Sequence, residues 1–191
     1  MSNLFARITK VDEETRTVTG RASQETIDRD GEVMDYSSSV PHFKAWSAEC
    51  FADSNGLSHG NVRAMHGATA AGVLTEIEFN DQERAIDVVA KIVDDDCWKK
   101  VITGTFTGFS IGGRYAKKWT DISSGKPVTR YTAVPNELSL VDRPSCPQAK
   151  FFSIHKRDGR VVKHAFATHE DRYMMSDELG SFLKLDGSLN A

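Results

Sequence analysis

Apolar and polar residues alternate over much of the first 150 positions of this chain, and a period of two is the mark of half-buried strands. In residues 4–22, Leu4, Ala6 and Ile8 fall on one side while Phe5, Arg7 and Thr9 fall on the other. The polar stretch Asp12-Glu13-Glu14-Thr15 then turns the chain, and Thr17-Val18-Thr19-Gly20-Arg21-Ala22 resumes the alternation, which predicts a hairpin. Further strands are predicted over Val62–His66, over Gly72–Phe79 with Val73, Thr75, Ile77 and Phe79 on one face, and over Ala85–Val93 with Ile86, Val88, Ala90 and Ile92 in register. Asn80-Asp81-Gln82-Glu83-Arg84 joins the last two as a hairpin. Strand character returns over 106–119, 128–134 and 137–142, with a turn at Ser123-Ser124-Gly125-Lys126. Residues 28–33 read as a turn and 51–61 as a loop.

Two segments carry helical signals instead. Asp94 to Thr103 opens with aspartates that cap free N–H groups and favour the positive end of the helix dipole. Trp98, Val101 and Ile102 form its apolar stripe, and Gly104 suits a left-handed stop. Ser37 to Trp46 is predicted as a second helix, started by a serine cap and Pro41. After Phe152 the chain turns polar, so a domain over 1–153 is expected to be followed by a loosely attached tail over 154–191.

Composition adds limits. The chain has 191 residues, 39% apolar and 27% charged, with a formal net charge of −3. That length suits one domain with a real core. Scattered lysines and arginines on a slightly acidic chain give no footprint for nucleic acid. Three separated cysteines, Cys50, Cys97 and Cys146, indicate free thiols rather than a disulfide framework or a zinc ribbon. The first residues lack the apolar core of a signal peptide, and no stretch is long enough to span a membrane, so an intracellular setting is expected.

Candidate chemistry centres on Gly108-Phe109-Ser110-Ile111-Gly112. On a strand, Phe109, Ile111, Gly113 and Tyr115 face the core, and Gly108, Ser110 and Gly112 share the other face. Two small flanks leave the Ser110 hydroxyl within reach of an extended peptide, with Gly108 and Gly112 lining the cleft. A tight sheet crossing or bulge accounts for the same glycines, and both readings stand at this point. The spacing also matches the nucleophile elbow of α/β-hydrolases, but that motif needs a strand before the serine and a helix after it. Here the order is reversed, and the elbow reading fails.

A serine hydroxyl needs a base, and the base needs an orienting group. His66 ends a predicted strand beside the small residues 67–72, with His42 and His59 as competitors in loop-like surroundings. Glu137 opens Glu137-Leu138-Ser139-Leu140-Val141, where it shares a face with Ser139. Asp28-Arg29-Asp30-Gly31 has part of a calcium loop's pattern without its later ligands, and no glycine loop for phosphate is present, so neither a metal nor another cofactor is expected.

In family order, the 28–33 turn, His66, a short helix leading into Gly108–Gly112, and Glu137-Leu138-Ser139-Leu140-Val141-Asp142-Arg143-Pro144 followed by Ser145-Cys146-Pro147-Gln148-Ala149 resemble the prohead (capsid maturation) serine proteases of tailed phages, relatives of the herpesvirus assemblins. The resemblance covers about residues 4–153; Gly112-Gly113 and the loop over 51–61 depart from the family pattern. It implies an α+β fold with a mostly antiparallel, barrel-like core and a few peripheral helices. It also implies Ser110 as nucleophile, His66 as general base, Glu137 as its orienting group and Arg143 as an oxyanion contact. The implied activity is a serine endopeptidase acting inside assembling proheads in the host cytoplasm. Its substrates would be the scaffolding protein, or a scaffold-like segment of the major capsid protein, and itself. A non-catalytic capsid-assembly module on the same fold and an unrelated esterase are the alternatives.

Overall fold

The computed structural model describes residues 15–122, 125–155 and 161–163. In chain order the elements are β1 (Thr17–Gln24), β2 (Glu32–Met34), α1 (Tyr36–Asp53), β3 (Asn61–Ala64), β4 (Ala70–Asn80), β5 (Ala85–Ile92), α2 (Asp95–Ile102), β6 (Gly108–Asp121), β7 (Val128–Val141), β8 (Phe151–His155) and β9 (Val161–Lys163). The fold is α+β with a mixed sheet. Its strands run β2-β7-β3-β4-β5-β1-β8-β9, and β6 pairs with the other edge of β7. Two pairings, β2 with β7 and β3 with β7, are parallel, and the rest are antiparallel. The expected barrel does not close: between the start of β6 and the segment before β8 there is only an isolated bridge, Gly108 to Lys150, rather than a ladder.

The core lies under one face of this sheet, where Phe43 and Trp46 of α1 join Val62, Leu74, Ile86, Phe109, Leu138, Leu140 and Phe151. α1 starts earlier and ends later than its sequence signals indicate. Asp35, not a serine, is its N-cap, with a side-chain oxygen accepting from the N–H of Ser38 at 3.0 Å. Pro41 therefore sits inside the helix. Buried Tyr36, Ser39, Phe43, Trp46 and Ser47 recur at helical spacing, which keeps one face against the sheet and carries the helix on to Asp53. The predicted 51–61 loop thus shortens to the connection between Asp53 and Asn61.

α2 forms as its aspartates require. Asp94 accepts from the N–H of Cys97 at 2.7 Å, and Gly104 beyond the C-cap is left-handed at φ +73°. Its buried stripe is Cys97 and Val101, with Trp98 packed partly against the core; Ile102 points outward instead. On β4 the face assignment also changes. Thr75 is an unpaired extra residue between Leu74 and Glu76, so Leu74 rather than Val73 joins Ile77 and Phe79 opposite Ala90, Val88 and Ile86. Such a bulge shifts the alternation by one residue.

The strands expected separately over 128–134 and 137–142 are one strand, β7, with Asn136 as an unpaired extra residue. The first arm of the hairpin predicted over 4–22 and the Ser123-Ser124 part of the following turn lie outside the described residues. The boundary drawn after residue 153 falls within β8, and β9 pairs with that strand, so the sheet continues past it. The rest of 154–191 lies outside the described residues. Among the described residues no helix is long and apolar enough to cross a membrane.

Candidate functional site

Three neighbouring strands build the site. β7 lies between β3 and β6, and the register sets Ser139 between Arg63 on one side and Ser110 on the other. Two positions further along β6, Gly112 pairs with Glu137. β3 stops at Ala64, two residues before the predicted end, and the chain turns sharply through Met65 and His66, both left-handed at φ +52° and +55°. Non-glycine residues rarely adopt this conformation. It is held here by Met65 N–H donating to the Leu140 carbonyl at 3.0 Å and His66 N–H donating to Ser139 Oγ at 2.9 Å.

That turn swings the His66 ring across β7. Nε2 lies 2.9 Å from Ser110 Oγ, and Nδ1 lies 2.5 Å from Glu137 Oε1. The Glu137 carboxylate accepts a second hydrogen bond at Oε2, from the Ser139 hydroxyl at 2.7 Å. Glu137 is 7% exposed and Ser139 fully buried, whereas the His66 side chain is 43% exposed. A buried carboxylate needs such partners. With Nδ1 donating to Glu137, Nε2 is the free acceptor facing the serine. The arrangement can therefore withdraw the serine proton, because the ring is held in the tautomer that leaves a base toward Oγ.

The two candidate cleft glycines differ. Gly112 shares a hollow with Arg63, His66, Ile111, Asn136 and Glu137. A Cβ at Gly112 would stand 1.7 Å from Glu137 Oε1, so the missing side chain is the space the carboxylate occupies. Gly108 is buried, and a Cβ there would meet the Ala149 carbonyl at 2.0 Å and Pro144 at 2.6 Å. It is a close crossing of two backbones rather than a cleft wall, which corrects its assignment. Phe109 packs inward, its ring edge on Phe151, but Tyr115 is exposed rather than in the core.

Arg143 is exposed just beyond β7 and makes no hydrogen bond or ion pair with Ser110, His66 or Glu137. Of the competing histidines, His59 stacks on Phe51, with the ring centroids 4.8 Å apart, and His42 lies on α1 rather than in a loop.

A second hollow is lined by Ser110 itself together with Asp28, Asp30, Glu32, Tyr131 and Cys146 among others. Its rim joins two separate blocks of sequence. Asp28 accepts from the N–H groups of Asp30 and Glu32, while Ser145 donates to Asp30 at 2.6 Å and Arg29 donates to the Pro144 carbonyl. Burial pushes the Asp28 carboxyl above its usual range, against the opposing pull of those two N–H groups. Burial likewise raises the Tyr131 phenol, helped by the charge of Asp28.

Ser139 is the site residue that sequence reasoning passed over. Its signal was present: Glu137 and Ser139 are the two polar residues of the segment Glu137-Leu138-Ser139-Leu140-Val141 and share one face of it, and the structure buries both. No family model matches this chain, and no curated protein does.

Proposed function

We propose that this chain is a serine endopeptidase of the prohead-maturation type, with an assemblin-like fold, in which Ser110 is the nucleophile, His66 the general base and Glu137 the group that orients it. The observation that carries this reading is the continuous run of hydrogen bonds from Ser110 Oγ through the His66 ring to Glu137. In the acyl-transfer cycle, His66 Nε2 takes the proton as Ser110 Oγ attacks a peptide carbonyl, and Glu137 holds the imidazolium that forms. The proton then passes to the leaving amine. Water, activated by the same ring, releases the acyl group and restores the serine.

The substrates on this reading are the scaffolding protein or a scaffold-like segment of the major capsid protein, and the protease itself, inside the assembling prohead in the host cytoplasm. Ser110 lines one hollow, and its partners His66 and Glu137 line the other, which gives an extended peptide a place to lie beside the serine. Oxyanion stabilisation falls to backbone N–H groups beside the serine, each such donor being worth about 10²–10³ in rate. Arg143 is the side-chain candidate for the same task.

Co-expression of the scaffold with the wild-type chain or with Ser110→Ala, followed by mass spectrometry, tests the reading. Cleavage is expected with the wild type and none with the variant. Cleavage that persists in Ser110→Ala removes the assigned nucleophile. An intact scaffold in both, with no labelling of the wild type by a fluorophosphonate, favours the non-catalytic assembly module.

A further inference from the structure

Ser139 gives its one proton to Glu137 and accepts from the backbone N–H of His66, and we propose that it is the positioning residue that locks His66 and Glu137 together. The inference rests on the reading of Ser110 as nucleophile. Four hydrogen bonds carry it. The His66 N–H donates to Ser139 Oγ at 2.9 Å, Ser139 Oγ donates to Glu137 Oε2 at 2.7 Å, Glu137 Oε1 faces His66 Nδ1 at 2.5 Å, and His66 Nε2 faces Ser110 Oγ at 2.9 Å. The first three close a circuit that starts at the backbone of His66 and returns to its ring.

Donor and acceptor roles in that circuit are forced. A backbone N–H only donates, so the serine oxygen accepts from it and turns its one proton to the carboxylate. Glu137 Oε2 is thereby occupied, and Oε1 is left for the imidazole N–H. Because Ser139 is fully buried, no water replaces its hydroxyl when it is removed without rearrangement. Bonds linked in this way polarise one another, so loss of one weakens the others.

The same hydroxyl holds backbone as well as side chain. Consecutive left-handed residues at Met65 and His66 persist only where the surroundings fix them. The Leu140 carbonyl fixes Met65, and Ser139 Oγ fixes His66. Ser139 also sits in register between Arg63 of β3 and Ser110 of β6. One small side chain therefore determines both where the imidazole is anchored and which way it points.

The test uses the full chain, a fluorophosphonate probe and three substitutions. Ser139→Ala is expected to slow labelling of Ser110 by about 10²-fold, the loss typical of a misplacement near 1 Å at a reacting group. Ser139→Thr, which retains the hydroxyl, is expected to recover most of that loss. In ¹⁵N spectra of the His66 ring, the wild type is expected to show the single Nδ1–H tautomer, and Ser139→Ala a mixture. A merely structural residue would not move that signature at constant melting temperature. Should Ser139→Ala fail to fold, Ser139→Cys keeps a small side chain with only a weak donor and is expected to be slowed in the same way.

Wild-type labelling in the folded Ala or Cys variant, or a Thr variant as slow as Ala, overturns the proposal. If the wild type itself is not labelled at Ser110, the hydrolase reading fails, and the ring spectra of wild type and Ser139→Ala alone decide whether Ser139 sets the tautomer.

Discussion

Replacing Gly112 by alanine separates the candidate machinery from the fold. The added Cβ would lie 1.7 Å from Glu137 Oε1, 2.5 Å from its Cδ and 2.8 Å from its Cγ. Ordinary van der Waals contact begins at 3.4 Å, so Oε1 must retreat by about 3.4 − 1.7 = 1.7 Å. Its bond to His66 Nδ1 is 2.5 Å long, and a displacement of that size takes the pair beyond hydrogen-bonding distance in most directions. Retreat also disturbs the 2.7 Å bond from Ser139. The cost to activity should approach that of losing the orienting carboxylate outright, about 10⁴-fold in comparable triads.

Folding should respond far less. Gly112 does not have a left-handed backbone, so alanine fits its conformation and stabilises through the unfolded chain by about 0.4–1 kcal/mol. A buried carboxylate that loses part of its bonding costs about 1–3 kcal/mol in the other direction. The net is a loss of about 2.6 kcal/mol at most. The assay is fluorophosphonate labelling of Ser110 followed by intact mass, with urea unfolding alongside. A folded Gly112→Ala that labels within threefold of the wild type would refute the role of Glu137.

Three more outcomes follow from particular contacts. Gly108→Ala drives a Cβ against the Ala149 carbonyl, 2.0 Å away, and should destabilise the chain by about 1–3 kcal/mol in urea unfolding; unchanged stability would mean the two backbones do not cross there. Burial, then the hydrogen bond to Asp94, pushes the Cys97 thiol up to about 11, so iodoacetamide at pH 8 should leave Cys97 unmodified in the folded chain, as peptide mapping will show. Burial opposes ionisation of Asp35, but Ser38 and Arg130 outweigh it and hold the carboxyl below its usual range. Its contribution is therefore present above the unfolded value, about 3.9, and is lost as pH falls through the lower folded value. Asp35→Ala should cost about 1 kcal/mol or more at pH 7. Asp35→Asn keeps a capping oxygen but no charge, so its deficit against the wild type should shrink as the pH drops through that window; a deficit independent of pH sinks the assignment.

Elements whose signals are local were legible in the sequence. α2 needs only its aspartates, a short apolar stripe and Gly104, all within eleven residues, and it forms within one residue of its predicted ends. Bulges were not legible, because nothing in an alternating pattern marks where one residue loses its partner. Thr75 moves Leu74 into the core in place of Val73, and Asn136 makes one strand of two expected ones. The beginning of α1 was missed for a related reason. Asp35 is chosen as cap partly by Arg130, 95 residues away, at 2.9 Å, which is a tertiary contact that the local text of the chain does not contain.

The site divides along the same line. Ser110, His66 and Glu137 were identified by residue type and order, whereas the difference between Gly108 and Gly112 depends on which strand passes each of them. What makes the three residues meet is the register of β7. Ala133 and Leu138 both belong to the core although five positions separate them, and an odd spacing along a strand reverses the face. Asn136 absorbs the odd residue. Beyond it, Leu138 and Leu140 continue the core face, while Glu137 and Ser139 turn to the face where Ser110 and the left-handed His66 turn meet them. Deleting Asn136 would therefore exchange these two pairs, burying Glu137 among apolar side chains and turning two leucines toward His66. The bulge is thus part of the candidate site although its side chain makes none of the site's hydrogen bonds.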